Sequence, residues 1–244
     1  MRTRFALVTG AAHRIGACIA QTLHARGCDV ILHYCESRDA VLELQAGLNA
    51  VRADSASIVA ADLRDGEAVR QLAETVKRRT AHLDLLVNNA SRFFPTVVGE
   101  TTPQQWLDLM ASNLRGPYFL TQALLAELSD ARGCVINLLD VHASRPLRGH
   151  AVYCIAKAGL QMMTLALARD LGPDIRVNGV APGAILWPEQ GYSTAAQEKI
   201  LGNTVLGRTG EPADIASAIV YLGLEAPYVT GQVLAVDGGR SLNI

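Results

Sequence analysis

The sequence predicts an α/β fold, a single domain built on a parallel sheet. Short apolar runs such as Phe5–Val8 and Leu83–Val87 alternate with longer segments of helical periodicity. The 244 residues show no composition shift that would mark a linker, and undivided domains of this class reach roughly 250 residues. Half of the residues are hydrophobic and only 5% are aromatic, which favours a large aliphatic core around a sheet.

Charge and cysteine content restrict the classes of function. The formal net charge of -1 gives no electrostatic case for binding nucleic acid or an anionic membrane. We find no apolar run approaching the roughly 18 residues of a membrane-spanning helix. The 5 cysteines include no CxxC pair, which favours reduced thiols in a cytoplasmic protein. No cluster of His, Cys and carboxylate residues has the spacing of metal ligands, so we predict no metal site.

The first strand, turn and helix have the composition of a pyrophosphate site. Phe5–Val8 leads into a glycine-containing turn, and Ile15–Arg26 has helical apolar spacing. Gly10 permits the tight turn and Gly16 allows close packing of the helix, whose N-terminus carries positive partial charge. The turn is not a GxGxxG motif, because Arg14 stands where a glycine is expected.

The second strand predicts the type of dinucleotide. An NAD-selective site normally has an acid at the end of this strand, but Asp29–Tyr34 ends in His33 and Tyr34. Three nearby side chains suit a 2′-phosphate: Arg14, Ser37 and Arg38. The sequence therefore favours NADPH over NADH, although the acidic Glu36 favours NADH.

The next two units repeat the alternation. A helical segment, about Arg38–Asn49, precedes the strand Ser57–Ala60, and the amphipathic helix Gly66–Thr80 follows. Between them, Asp62 beside Leu63 suits a hydrogen bond from an adenine amino group. Asp62 equally suits the N-cap of the next helix, and the residues alone do not decide between these interpretations.

The strand Leu83–Val87 breaks into a polar and aromatic loop, NNASRFFP. Parallel strands with right-handed crossovers bring such loops to one edge of the sheet, where ligands bind. The Phe93 ring is suited either to stacking on a flat ligand or to packing on the domain itself, and both stay open. The helical region Pro103–Leu128 follows, with Asn113 near its middle, where an amide requires a hydrogen-bond partner.

The residues best suited to proton transfer follow the next strand. The apolar run Val135–Leu139 ends at Asp140, and a helix is predicted from about Val152. Tyr153 and Lys157 are four residues apart on that helix, so their side chains share one face. An ammonium beside a phenol favours the phenolate, so we expect Lys157 to bring the pKa of Tyr153 into a useful range.

The remaining elements complete the sheet. In order they are the strand Arg176–Val180, a loop and short helix within residues 185–204, a helix near Ala213–Gly223 and the strand Val233–Val236. Pro182 and Gly183 follow the first of these strands. Trp187 is a candidate wall of the ligand site.

Together these motifs resemble the short-chain dehydrogenase/reductase family over essentially the whole chain. They are TGxxxRIG at 9–16, Asp62, NNA at 88–90, Asn113, YxxxK at 153–157, PG at 182–183 and the terminal VDGG. The resemblance implies one doubly wound Rossmann-type domain over residues 1–244, with a seven-stranded parallel sheet flanked by helices on both faces. It implies a nicotinamide dinucleotide bound by Gly10, Arg14, Ile15, Gly16, His33, Tyr34, Ser37, Asp62, Leu63, Asn89, Ala90, Lys157, Pro182 and Gly183.

Two departures from the family pattern resemble the pteridine reductases within it. Asp140 occupies the usual position of the catalytic serine, and Arg14 replaces a usual glycine. By that resemblance the chain uses NADPH to reduce a C=N bond of a dihydropterin. Asp140 and Tyr153 protonate the nitrogen, Lys157 holds the nicotinamide ribose, and Asn113 holds a water. The expected substrate-binding residues are Arg14, Ser91, Phe93, Tyr153 and Trp187.

Two other functions stay open. A carbonyl or 3-oxoacyl thioester reductase is weakened because Asp140 puts an anion where negative charge would develop. A dinucleotide-sensing protein without turnover is weakened by the intact Asn113, Tyr153 and Lys157. We expect a homotetramer or homodimer with no nucleic-acid or membrane partner. The sequence assigns no role to His13, His142, Arg145 or His150.

Overall fold

The computed structural model describes residues 2–187 and 193–244. The strands are β1 (Arg4–Val8), β2 (Cys28–Tyr34), β3 (Ala56–Ala60), β4 (Leu85–Asn88), β5 (Cys134–Leu138), β6 (Arg176–Pro182) and β7 (Val233–Val236). Within the described residues they form one 7-stranded sheet in the order β3-β2-β1-β4-β5-β6-β7. All neighbouring strands are parallel. The predicted doubly wound fold is confirmed.

The α-helices of the described part follow the predicted alternation with one exception. They are α1 (Arg14–Ala25), α2 (Arg38–Val51), α3 (Gly66–Arg79), α4 (Pro103–Met110), α5 (Gly116–Ala123), α6 (Leu125–Ala131), α7 (Ala151–Leu171), α8 (Thr194–Gly202) and α9 (Pro212–Val220). The short helix predicted within 185–204 is α8, and residues 188–192 of that segment lie outside the described residues.

The predicted helical region Pro103–Leu128 is helical, but it is not one continuous α-helix. A π-helical turn, Ala111–Arg115, and a break at Leu124 divide it into α4, α5 and α6. Pro117 has no N–H to donate to the Asn113 carbonyl, so the usual ladder cannot continue through this point. The N–H of Gly116 instead donates five residues back, to Ala111.

Alternate residues of each strand enter different apolar layers. Ala6 and Val8 of β1 pack in the layer formed with α1, α2 and α9. Leu7, between them, packs in the opposite layer with α3, α5 and α6. All three side chains are fully buried, so the two-residue period of the strand produces helices on both faces of the sheet.

The helix α7 alone, among those described, is long and apolar enough by length and composition to cross a membrane. No such segment was predicted from the sequence, since polar residues interrupt the apolar run. Half of the qualifying window is buried inside the fold, and α7 packs against β6. This burial is typical of the core helix of a folded domain.

Candidate active site

A cleft of about 630 Å³ opens at the carboxyl edge of the sheet. Most of the predicted site residues line it: Gly10, Arg14, Ile15, Gly16, His33, Tyr34, Ser37, Asp62, Leu63, Asn89, Ala90, Ser91, Asp140, Tyr153, Lys157, Pro182 and Gly183. Parallel topology brings them together, because loops from several strands end at the same edge. Asn113, Phe93 and Trp187 were also predicted but do not belong to the described lining.

The turn after β1 lies tightly against the start of α1. Gly10 has a φ of +63°, and a Cβ on Gly16 would lie 2.0 Å from the Gly10 carbonyl oxygen. Arg14 has a φ of 53°, a left-handed conformation that costs a residue with a side chain roughly 1–2 kcal/mol. The backbone therefore explains why a glycine is usual at this position.

His33 shapes this turn through both nitrogens of its ring. The side chain is 2% exposed. Its Nδ1 accepts a hydrogen bond from the Gly10 N–H at 3.1 Å, and its Nε2 donates to the Ala61 carbonyl at 3.0 Å. Burial lowers the pKa of His33 to about 4, so the ring is neutral at physiological pH. Both ring nitrogens already have partners, and the predicted contact of His33 with the cofactor stays a prediction.

The loop after β4 is tied to the same turn. The Thr9 hydroxyl accepts from the backbone N–H groups of Asn89 and Ala90 at 2.9 and 3.0 Å. The Asn89 side-chain amide donates to the carbonyls of Thr9 and Gly10 at 2.8 and 3.0 Å. These bonds hold Asn89 and Ala90 beside the glycine turn.

Asp62 is not a helix N-cap. Asp65 has that role in α3, where its carboxylate accepts from the Glu67 N–H at 2.9 Å. Asp62 instead accepts from the Arg64 Nε and Nη2 at 2.7–3.0 Å. The hydrogen bonds from the Arg64 side chain lower the pKa of Asp62, so its carboxylate stays ionised in the cleft.

Sequence reasoning missed Arg64 as a lining residue. Its Nη1 also donates to Asp108 of α4 at 2.8 Å, and Arg92 Nε lies 3.3 Å from the same carboxylate. The position of Arg64, in the loop directly after β3 and beside Leu63, was the available signal. The ion pairs depend on Asp108, which is distant in sequence and gave no such signal.

Asp140 and Tyr153 meet in the cleft, as the sequence predicted. The Tyr153 hydroxyl donates to Asp140 Oδ2 at 2.7 Å. The other carboxylate oxygen accepts from the His142 N–H at 2.9 Å, which fixes the orientation of the carboxyl group. Lys157 donates to the Leu138 carbonyl at 2.8 Å, and its Nζ lies 5.8 Å from the centre of the Tyr153 ring.

The expectation that Lys157 lowers the pKa of Tyr153 into a useful range is wrong. Burial raises the pKa of Tyr153 well above its usual value, and the charge and hydrogen bond of Asp140 raise it further; a hydrogen bond from Ser91 acts in the opposite direction. Burial also lowers the pKa of Lys157 to about 8, against the attraction of Asp140. The desolvation of Tyr153 outweighs the stabilisation of its phenolate by the nearby Lys157. Tyr153 therefore keeps its proton at neutral pH.

The Asn113 side chain has a full set of hydrogen bonds. Its Oδ1 accepts from the Ser91 hydroxyl at 2.6 Å and from the Arg92 N–H at 3.2 Å. Its Nδ2 donates to the carbonyls of Arg92 and Leu109, both at 3.0 Å. The side-chain amide therefore fixes the loop after β4, and the water predicted at Asn113 stays a prediction.

An aromatic cluster lies beside Tyr153. The Phe93 ring stacks on His150, with ring centres 4.6 Å apart and planes 11° apart. The same ring meets Tyr153 edge to face, at 4.8 Å and 83°. Phe93 is 48% exposed, so it packs on the domain and still presents ring surface to solvent.

Arg14 connects the glycine turn to the segment after β6. Its Nη2 donates to the Trp187 backbone carbonyl at 3.1 Å. The part of Trp187 that this contact brings to the site is its backbone, whereas the sequence predicted its ring as a wall.

Proteins similar to this chain include reductases of two substrate classes. A family model described as enoyl-(acyl carrier protein) reductase matches residues 10–241. Pteridine reductase 1 of Leishmania tarentolae is 34% identical over an alignment of 277 residues, covering 97% of this chain and 96% of that protein. The 3-oxoacyl-(acyl-carrier-protein) reductase of Haemophilus influenzae is 34% identical over 247 residues, covering 100% of both. A solved structure of a blue fluorescent protein from a metagenomic library, in complex with NADPH, is 33% identical with a TM-score of 0.90, covering 97% of each chain.

Proposed function

Because the chain belongs to the short-chain dehydrogenase/reductase family, we propose that it is an NADPH-dependent reductase of a dihydropterin C=N bond. The observation that carries this proposal is the Asp140 carboxyl 2.7 Å from the Tyr153 hydroxyl. In the family pattern that the sequence resembles, a serine hydroxyl stands at the position of Asp140. A pterin nitrogen requires a proton, and this pair is suited to deliver one.

The cleft fits a nicotinamide dinucleotide. The turn at Gly10 and Gly16 leaves no room for a Cβ, so backbone N–H groups and the start of α1 can approach a pyrophosphate closely. Arg14 and Ser37 would hold the 2′-phosphate, Asp62 the adenine amino group and Lys157 the nicotinamide ribose. When bound, the cofactor supplies the hydride.

Tyr153 supplies the proton in this mechanism. Addition of hydride to the carbon of the C=N bond leaves an electron pair on the nitrogen. That nitrogen forms an N–H bond as the Tyr153 O–H bond breaks. A nitrogen anion is a much stronger base than a phenolate, so the raised pKa of Tyr153 does not prevent this transfer. The Asp140 carboxyl, in contact with the phenol oxygen, then provides the route by which water returns a proton.

Reduction of a ketone suits this site less well. A ketone gains negative charge on oxygen as hydride arrives, and the oxyanion needs hydrogen-bond donors. The Asp140 carboxylate, 2.7 Å from the Tyr153 hydroxyl, would repel the charge of that oxyanion. The two curated relatives above have equal identity and different substrates, so enzyme assays must separate the two activities.

The first experiment is a substrate panel. Dihydrobiopterin, dihydrofolate, a small ketone and a 3-oxoacyl thioester are each mixed with NADPH, and cofactor oxidation is followed by absorbance. We expect turnover of a pterin at a higher kcat/KM than either carbonyl compound. Preferential reduction of the ketone or thioester would reject the proposal, and NADPH binding without any turnover would favour the dinucleotide-sensing alternative.

The second experiment tests the proton donor. Tyr153→Phe keeps the ring and removes the hydroxyl, so pterin turnover should be lost while the NADPH dissociation constant stays within about twofold. General acid–base groups typically contribute about 10²–10⁴-fold to rate. Normal turnover by this variant would contradict the mechanism.

The third experiment tests the carboxyl. Asp140→Ser should lower pterin turnover by about 100-fold or more, and Asp140→Asn, which matches the native side chain in size, should do the same. Reduction of dihydrobiopterin by Asp140→Ser at the parent rate would exclude the relay.

We also propose that the chain forms a homodimer or homotetramer. The helices α4, α5 and α7 expose large apolar side chains, among them Leu107, Phe119 and Met162 at 56%, 46% and 63%. Light scattering after gel filtration measures the mass. A monomer at assay concentration would reject this proposal.

A further inference from the structure

We infer that His150 is a positioning residue for Phe93, and that by holding this ring beside Tyr153 it sets the selectivity for flat substrates. The inference rests on the proposed function and deepens it, because it assigns the support of the surface on which a planar ring would stack. No role for His150 follows from the sequence.

The Phe93 ring is held in two directions. His150 covers one region of it in a nearly parallel stack, with ring centres 4.6 Å apart. Tyr153 meets it at 83°, with ring centres 4.8 Å apart. A parallel contact and a perpendicular contact together restrict both the tilt and the sliding of the ring. The 48% of Phe93 that is exposed is the part available to a substrate.

His150 is itself well fixed. Its Nδ1 lies 3.1 Å from the Arg148 carbonyl, and its own carbonyl accepts from the Cys154 N–H at 3.0 Å in the first turn of α7. Thr96 forms a parallel bridge with His150, and the Thr96 N–H donates to the Gly149 carbonyl at 2.6 Å. The loop that carries Phe93 and the start of α7 are therefore joined by backbone bonds.

The placement of the Phe93 ring depends on His150 as well as on its own loop. Asn113 binds the Ser91 hydroxyl and the Arg92 backbone N–H, and the Thr96 bridge fixes the far end of the loop. The Phe93 side chain lies between these anchors. Loss of the stack would leave its ring supported by the edge contact with Tyr153.

The kinetic test compares the KM for dihydrobiopterin of His150→Ala with that of His150→Phe. An aromatic stack contributes a factor of about 2 to 12 in affinity. His150→Ala should raise the KM for dihydrobiopterin by about that factor, with kcat and the NADPH dissociation constant within about twofold of the parent. His150→Phe should restore the KM, because it restores a flat ring.

His82→Ala is the matched control. The His82 ring also meets a phenylalanine, Phe5, at 5.4 Å between ring centres, and neither residue belongs to the described lining of the cleft. This variant should leave the KM unchanged. Thermal melting of all three variants identifies any general loss of folding. An unchanged KM in His150→Ala, or a His150→Phe variant as impaired as His150→Ala, would overturn the inference.

A second measurement is independent of turnover. The chain has 4 phenylalanines, and incorporation of 4-fluorophenylalanine gives one fluorine signal for each, with Phe93→Leu identifying the signal of Phe93. In His150→Ala the Phe93 signal should shift and narrow, while in His82→Ala the Phe93 signal should match the parent. An unchanged signal would reject the positioning role. A changed signal in an enzyme that reduces no pterin would retain that role and reject the proposed function alone.

Discussion

Replacement of His33 by asparagine tests the most perturbed histidine of the cofactor turn. The asparagine oxygen can still accept from the Gly10 N–H, but the amide is too short to reach the Ala61 carbonyl. We expect the variant to be less stable than the parent at pH 7.5 by roughly 1–3 kcal/mol, the cost of an unpaired buried polar group. Its stability should also respond less to pH.

The contribution of His33 to the free energy of unfolding decreases as the pH falls. A histidine in an unfolded chain has a pKa of 6.5, and burial lowers the pKa of His33 to about 4 in the fold. Between these values the unfolded chain binds a proton that the folded chain does not, so the free energy of unfolding falls as the pH falls. The loss is complete below the folded pKa and amounts there to about 3 kcal/mol. Between pH 7.5 and pH 5 it amounts to about 2 kcal/mol.

Urea unfolding of both proteins at the two pH values measures this effect. Groups other than His33 titrate in both proteins and cancel in the difference. The stability gap between parent and variant should therefore narrow by about 2 kcal/mol on acidification. A gap that stays constant within about 0.5 kcal/mol would refute the buried, neutral state of His33.

Three further predictions concern backbone and loop contacts. Gly16→Ala should weaken NADPH binding at least about tenfold in a fluorescence titration, because its Cβ would lie 2.0 Å from the Gly10 carbonyl oxygen; parent affinity would contradict this account of the turn. Gly47→Ala, in α2, should raise the free energy of unfolding by about 0.5–1 kcal/mol, since its Cβ would meet nothing within 4 Å; a destabilised variant would contradict it. Asn113→Ala should lower that free energy by roughly 1–3 kcal/mol and speed amide exchange around Arg92, whose backbone loses its partners; unchanged exchange would oppose the anchoring role.

Much of the fold was predictable because its signals are local. The alternation of apolar runs with helical spacing gave the element order and the parallel sheet, and the structure agrees within a few residues at most boundaries. The exception, the helix from Pro103, shows where periodicity fails. A π-helical turn keeps an apolar pattern almost intact, so only the missing N–H of Pro117 indicated the change.

Part of the candidate site was predictable as well. Topology requires Asp140, Tyr153 and Lys157 to meet at one edge of the sheet, and helical spacing requires the last two to share a face. The 2.7 Å contact between Asp140 and Tyr153 agrees with that expectation. The partner of Phe93 was not predictable, because the stack with His150 joins two loops distant in sequence.

The sequence by itself determined the fold class, the glycine turn and most of the residues that line the cleft, since these follow from residue types and spacing along the chain. Only the tertiary structure decided how those groups ionise and which hydrogen bonds they form. Burial raises the pKa of Tyr153 despite the nearby Lys157, and the ring of His33 is occupied by Gly10 and Ala61. Desolvation and hydrogen bonding depend on every atom packed around a group, and most of those atoms belong to residues far away in the chain.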